Sequence, residues 1–153
     1  MYGRMLVAID ESETSDRALQ EAISLAKDQK AALRIVHVID VSQAYLTVDT
    51  PYPFVEYQDA MQEAGEKLLA NRVATARAAG VKVDSKLIAL EMYGERIYDI
   101  IEEQSKQWPA DLIVIGTHGR RGARHAMLGS VAEGLIRVAT KPVLLIRGPE
   151  ADQ

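Results

Sequence analysis

The residues in this chain with the strongest claim to chemistry are the glycines and arginines of Gly116 to Ser130, GTHGRRGARHAMLGS. The stretch follows DLIVI, an apolar run suited to a buried strand, and precedes VAEGLIRVA, whose apolar residues recur at helical spacing. Gly116, Gly119 and Gly129 stand where a strand must turn, open out and re-enter a helix. Glycine tolerates positive φ and lets a ligand approach the main chain closely. The free N–H groups at the start of the following helix, with its dipole behind them, suit an anion. Ser130 adds a hydroxyl at that terminus, and Arg120, Arg121 and Arg124 add cations to the loop. Taken alone, this pattern fits both a phosphate cradle and an ordinary glycine-rich connection.

The other loops restrict the choice. After the first apolar run come Asp10, Glu11, Glu13 and Asp16, which would repel a phosphate. No G-x-G-x-x-G follows that run, and no G-x-x-x-x-G-K-[ST] occurs anywhere. Asp10 suits either hydrogen bonds from a ribose or support of the helix that follows it. An acid on one side and a basic cradle on the other match the sugar and phosphate ends of a nucleotide. His118 and His125 fall in the cradle with no recognisable catalytic partner, and no histidine-rich metal spacing occurs. His37 reads as a packed or strand-end histidine, and Trp108 as a plug between a helix and a strand. Tyr45, Tyr52, Phe54 and Tyr57 suit a lid over a base or surface anchors of a long connection.

The elements that must position these loops alternate in type. Strands are expected over Arg4 to Ile9, Ala32 to Ile39, Val81 to Leu90, Asp111 to Ile115 and Val143 to Ile146. Helices are expected over Ser15 to Lys27, Tyr57 to Ala79, Glu95 to Gln107 and Ser130 to Ala139. Ser12, Thr14 or Ser15 can cap the first, and Gly80 stops the second. The inward residues of the second include Met61, Ala64, Leu68, Leu69, Val73 and Ala76. The third helix has Ile97, Ile100 and Ile101 as its stripe, and the fourth has Val131, Leu135 and Val138. Asp40 to Glu56 has no clear period and carries Pro51 and Pro53, a length that tends to be functional or mobile. The β-α alternation implies an α/β fold, a parallel sheet with helices on both faces. In such sheets ligands bind beyond the carboxyl ends of the strands, where the strand order reverses.

Composition bounds the function. At 153 residues the chain is expected to be one domain, 1–153, with a full core. A formal net charge of −4 argues against a general nucleic-acid binder, whose partner demands a basic face. With no cysteine, disulfides, thiolate metal sites and a catalytic thiol are excluded. LVAI is too short for a signal peptide or a membrane span, so the expectation is a cytoplasmic protein away from membranes. The last strand, VLLI, is apolar and expected at a sheet edge, which invites pairing with a second copy.

The spacing Gly116-x-x-Gly119, nine residues, then Gly129-Ser130 resembles the G-2x-G-9x-G-[ST] pattern of ATP-binding universal stress proteins. The opening LVAIDES, the segment ALRIVHV, the lead-in ADLIVIGTHGRRG and the closing KPVLLIR are similar to that family as well, so the resemblance spans essentially the whole chain. It implies a single open five-stranded parallel sheet, Rossmann-like, in the order 3-2-1-4-5. It implies ATP as the ligand, with Mg²⁺ able to enter through the phosphates and no metal held by the protein itself. Asp10 would contact ribose, Ala8 would lie near the nucleotide, and the backbone of Val38 would meet adenine. Gly116, Thr117, His118, Gly119, Arg120, Arg121 and Gly122, with Gly129, Ser130 and Val131, would wrap ribose and phosphates. A homodimer through Val143 to Ile146 is also implied.

The resulting expectation is an ATP-binding stress-response or signalling protein whose occupancy modulates conformation, dimerisation or partner binding. A weak ATPase and an interaction module without nucleotide are the alternatives. No lysine lies in the glycine loop and no general base is evident, so no catalytic residue is assigned. Enzymes with an S-G-G-x-D-S loop after the first strand look related, but DESETSD stands there instead. A phospho-accepting receiver needs an aspartate at the end of strand three, where IALEMY offers only Glu91.

Overall fold

Along MLVAI every side chain is buried, because a central parallel strand has a covered face on each side. The computed structural model describes residues 1–42, 52–90, 94–118 and 128–149. The elements run β1 (Arg4–Ile9), α1 (Glu13–Gln29), β2 (Ala32–Asp40), α2 (Tyr52–Ala78) and β3 (Lys82–Leu90). They continue with α3 (Ile97–Gln107), β4 (Leu112–Gly116), α4 (Ser130–Val138) and β5 (Val143–Ile146). All pairings are parallel and the sheet order is β3-β2-β1-β4-β5. The α/β fold, the strand order and the two helical layers expected from the chain are those observed.

Strand alternation sorts the core into two halves. Met5, Val7 and Ile9 of β1 face α1 and α2, packing with Leu19, Ile23, Leu69 and Val73. Leu6 and Ala8 face the other way, toward Ile101 of α3 and Leu135 of α4. α1 begins two residues earlier than its apolar period suggests, because Ser12 is the N-cap and its Oγ accepts the Ser15 N–H at 3.1 Å. It ends at Lys30, whose φ of 53 places it in the left-handed region of a helix stop.

Three local expectations change. α2 starts at Tyr52 rather than Tyr57, so part of the connection expected to be irregular is helical. Pro53 sits in its first turn, where a missing N–H costs no intrahelical bond. Residues 43–51 lie outside the described ones. Further along α2, Gly65 is buried and Ala64 is exposed, the reverse of the expected inward face. A Cβ on Gly65 would fall 2.8 Å from Leu87, so the glycine sets how closely α2 approaches the sheet. On α3, Ile101 is buried while Ile97 and Ile100 are only half-buried, and Glu102, Gln104 and Ser105 share the buried side.

Glu102 explains that polar face. Its Oε1 accepts the Thr140 hydroxyl at 2.7 Å and the Thr140 N–H at 3.2 Å, and its Oε2 accepts the Ser105 hydroxyl at 3.3 Å. Lys106 Nζ stands 3.5 Å from Oε1, so the buried carboxylate is paired as well as bonded. This clamp joins α3 to the turn that feeds β5. At the opposite end of the sheet from the carboxyl ends, Arg34 makes a bidentate pair with Asp84, both bonds 2.8 Å, and lies 4.8 Å over the Trp108 ring. Trp108 packs against the α3–α4 half of the core. Among the described residues no helix is long and apolar enough to cross a membrane.

The clamp makes a measurable prediction. Glu102→Ala should lower the free energy of unfolding by about 1.5–3 kcal/mol, because the Thr140 N–H and hydroxyl lose a charged acceptor that ties α3 to the turn before β5. Urea denaturation of the two proteins checks this, and a difference under 0.5 kcal/mol, on the order of a neutral surface change, would contradict the assignment.

Candidate functional site

The strand order decides where a site can form. β1 is the first strand and β4 its neighbour, with Val7 opposite Val114, so their outgoing connections leave toward opposite faces. The gap between those connections is the switch point of the sheet. A cleft of about 910 Å³ opens there, bordered by the carboxyl ends of β1, β2 and β4, by α2, and by the starts of α3 and α4. That volume falls in the range of pockets that hold nucleotide-sized molecules.

On the β1 side the chain leaves the sheet through a tight polar turn. Asp10 Oδ1 accepts the Ser12 N–H at 2.7 Å, and the Asp10 N–H donates to Ser15 Oγ at 2.8 Å. Both expected roles of Asp10 are therefore geometrically compatible. One carboxylate oxygen supports the helix start, and among the described residues Oδ2 has no partner. β2 outruns β1: their register ends at Ile9 opposite His37, so from Val38 onward the β1 side of the strand borders the cleft while its other side stays paired with β3. Beyond it, Asp40 Oδ1 accepts from the Ser42 N–H at 3.0 Å and from its hydroxyl, closing the end of β2.

On the β4 side the main chain is held at both ends of the connection. The Thr117 N–H donates to the Ile146 carbonyl at 2.9 Å, and the Thr117 carbonyl accepts the Gly129 N–H at 2.6 Å. Gly116 backs directly onto α1: a Cβ there would lie 2.7 Å from Thr14 Cγ2 and 3.3 Å from the Thr14 carbonyl carbon. Only glycine permits that approach. Gly129 is the N-cap of α4 without a side-chain cap, and its carbonyl accepts the Glu133 N–H at 2.9 Å. The N–H groups of Ser130, Val131 and Ala132 consequently have no intrahelical acceptor and stand at the cleft. Among the described residues Thr117 Oγ1 and His118 Nδ1 are buried without a hydrogen-bond partner, and an unsatisfied buried polar atom costs about 1–3 kcal/mol.

Of the residues assigned from sequence, Ala8, Asp10, Val38, Gly116, Thr117 and His118 all line this cleft, as do Gly129, Ser130 and Val131. Gly119, Arg120, Arg121 and Gly122 lie outside the described residues, together with Arg124, His125, Tyr45 and Glu91. The side chains of Tyr52 and Phe54 are outside them as well, whereas Tyr57 lines the cleft. Trp108 does not reach it. Sequence reading missed Met61 and Gly65 as cleft residues, since a helical period shows which side faces the sheet and not where the sheet ends. It also missed Arg96, the one arginine or lysine lining the cleft among the described residues. Arg96 is exposed at the N-cap of α3, and nothing in its neighbours along the chain marks it.

With the geometry set out, comparison with known proteins is informative. A family model described as the universal stress protein family matches residues 1–147. The universal stress protein YxiE of Bacillus subtilis is 35% identical over 153 residues, covering 96% of this chain and 100% of that one. A solved structure of a universal stress protein family member from Burkholderia pseudomallei is 35% identical with a TM-score of 0.75, covering 95% of this chain and 96% of that one. The universal stress protein from Archaeoglobus fulgidus, solved in complex with dAMP, is 26% identical with a TM-score of 0.66, covering 95% and 98%. A family model over nearly all the chain and a relative matched along its entire length agree with the fold and the cleft: this chain belongs to the universal stress protein family.

Proposed function

We propose that the cleft binds an adenine nucleotide, ATP in the first place, and that occupancy modulates conformation, dimerisation or partner choice in a stress-response or signalling role. The observation that carries this is the meeting of unlike ends. Three amides at the start of α4, without an acceptor among the described residues, stand at the cleft that Asp10 borders, so a polyphosphate and a sugar find complementary groups in one cavity. The partnerless Thr117 Oγ1 and His118 Nδ1 favour a polar ligand over an apolar one. The dAMP bound to the Archaeoglobus fulgidus protein supports an adenine nucleotide in particular.

In this arrangement phosphates lie on the amides of Ser130, Val131 and Ala132, and the loop from Gly116 to Gly122 wraps them. Asp10 Oδ2 accepts hydrogen bonds from the ribose hydroxyls, Ala8 lines the floor, and the Val38 main chain meets the base. Mg²⁺ would enter with the phosphates and neutralise part of their charge.

At one hundred times the dissociation constant, a nucleotide adds about 2.7 kcal/mol of stability, which for this size raises the melting temperature by roughly 5–10 °C. Asp10→Asn keeps an oxygen for the Ser12 N–H and removes the charge, so ATP affinity should fall about tenfold with the unliganded melting temperature nearly unchanged. A folded, nucleotide-free preparation that shows no shift with millimolar ATP and Mg²⁺ would sink the proposal.

Dimerisation belongs to the same proposal. Among the described residues β4 is the one strand that β5 pairs with, and all four residues of β5 stay partly exposed. Sedimentation should give a dimer at micromolar concentration, and Leu144→Glu should give monomers. A wild-type monomer there would remove the dimer and leave the nucleotide site standing.

A further inference from the structure

His37 is packed, as its place in an apolar strand suggests, yet one of its ring nitrogens is unspent. The residue is 8% exposed and belongs to the cleft wall. Its Nδ1 lies 2.9 Å from the Ile9 carbonyl oxygen. A carbonyl only accepts, so Nδ1 carries the proton, and in the neutral ring Nε2 keeps its lone pair. Among the described residues Nε2 meets no donor. It is also absent from the buried polar atoms that are closed to solvent without a partner. The unused acceptor therefore opens toward the cleft.

We propose that His37 is a specificity-determining residue whose Nε2 accepts a hydrogen bond from a hydroxyl or amino group of the bound ligand. This rests on the nucleotide reading and names the group that makes the cleft selective. The acceptor is oriented in advance: rotating the ring would break the bond to Ile9 and leave a carbonyl at the end of β1 without its donor. Its position is apt, because Ile9 immediately precedes Asp10 and His37 immediately precedes Val38, the residues at the sugar and base ends of the proposed ligand. Ile39, Met61 and Gly65 of the cleft wall bring no side-chain N–H or O–H, and although Tyr57 and Ser130 bring hydroxyls to the same cleft, neither bonds Nε2. A ligand that fills the cleft without offering a donor would leave Nε2 dehydrated and unpaired, and such a site rejects the analogue lacking that group. An adenine nucleotide offers donors of both kinds, the ribose hydroxyls and the 6-amino group.

The test compares AMP with its 2′-deoxy and 3′-deoxy analogues and with IMP, titrated calorimetrically into wild type, His37→Asn and His37→Gln. The asparagine amide can still donate toward Ile9 but places no acceptor at Nε2. The glutamine oxygen can stand near the Nε2 position. Wild type should bind the analogue lacking the relevant donor about three- to tenfold more weakly than AMP. His37→Asn should bind that analogue and AMP alike, and His37→Gln should restore part of the difference. The analogue that loses affinity tells whether the donor is a hydroxyl or the amino group.

A second measurement needs no variant. The nitrogen NMR resonance of His37 Nε2 in wild type should move on binding AMP and stay nearly fixed with the analogue that lacks the donor. If AMP binds while His37→Asn keeps the full wild-type discrimination, or while that resonance stays unchanged, the role of His37 is overturned and the nucleotide site survives. If AMP and ATP both fail to bind wild type, the nucleotide reading falls and the role of His37 goes with it.

Discussion

A short main-chain hydrogen bond, Gly129 N–H to the Thr117 carbonyl at 2.6 Å, determines where α4 begins. It draws the far end of a long connection back to the strand it left, so the helix starts beside the carboxyl end of β4 rather than out in solvent. Thr117 is in turn fixed by its own N–H on Ile146, and Gly116 by its contact with Thr14. The partial positive charge of the helix terminus is thereby aimed into the cleft by β4, β5 and α1 together. Loosening any of these would leave the amides of Ser130, Val131 and Ala132 to water.

The cleft is asymmetric in a way that suits a ligand with unlike ends. Asp10 and Glu11 follow β1 and Asp40 ends β2, whereas the start of α4 and Arg96 border the cleft elsewhere. Asp10 holds the turn into α1 with one oxygen and borders the cleft, and among the described residues its other oxygen has no partner. His37 lines the same cavity, and one of its ring nitrogens joins β2 to β1 while among the described residues the other meets no donor. Side chains that brace the scaffold on one atom and meet the cleft on another are oriented more firmly than side chains that only reach into it.

Much of this was legible along the chain. The apolar runs of β1 and β4 mark strands covered on both faces, Ser12 marks a helix start, and Gly116 and Gly129 mark the two ends of the site connection. Less legible were features whose cause lies in another element. The buried face of α3 carries Glu102 because Thr140, far along the chain, needs an acceptor. Gly65 rather than Ala64 faces the sheet because Leu87 and Ile39 leave no room for a side chain. α2 begins early because a proline in a first turn breaks no bond, which local period alone does not reveal.

By itself the sequence determined the alternation of strands and helices, and with it a parallel sheet clothed on both faces, because hydrophobic period is a local property of neighbouring residues. It also determined the family and the spacing of the glycines that allow close backbone contact. Tertiary structure alone decided that β2 outruns β1 at Val38, that Arg96 lines the same cleft as Asp10, and that His37 keeps an acceptor in reserve. These depend on strand register and on which atoms meet across the sheet, and no stretch of chain carries that information until distant segments are packed together.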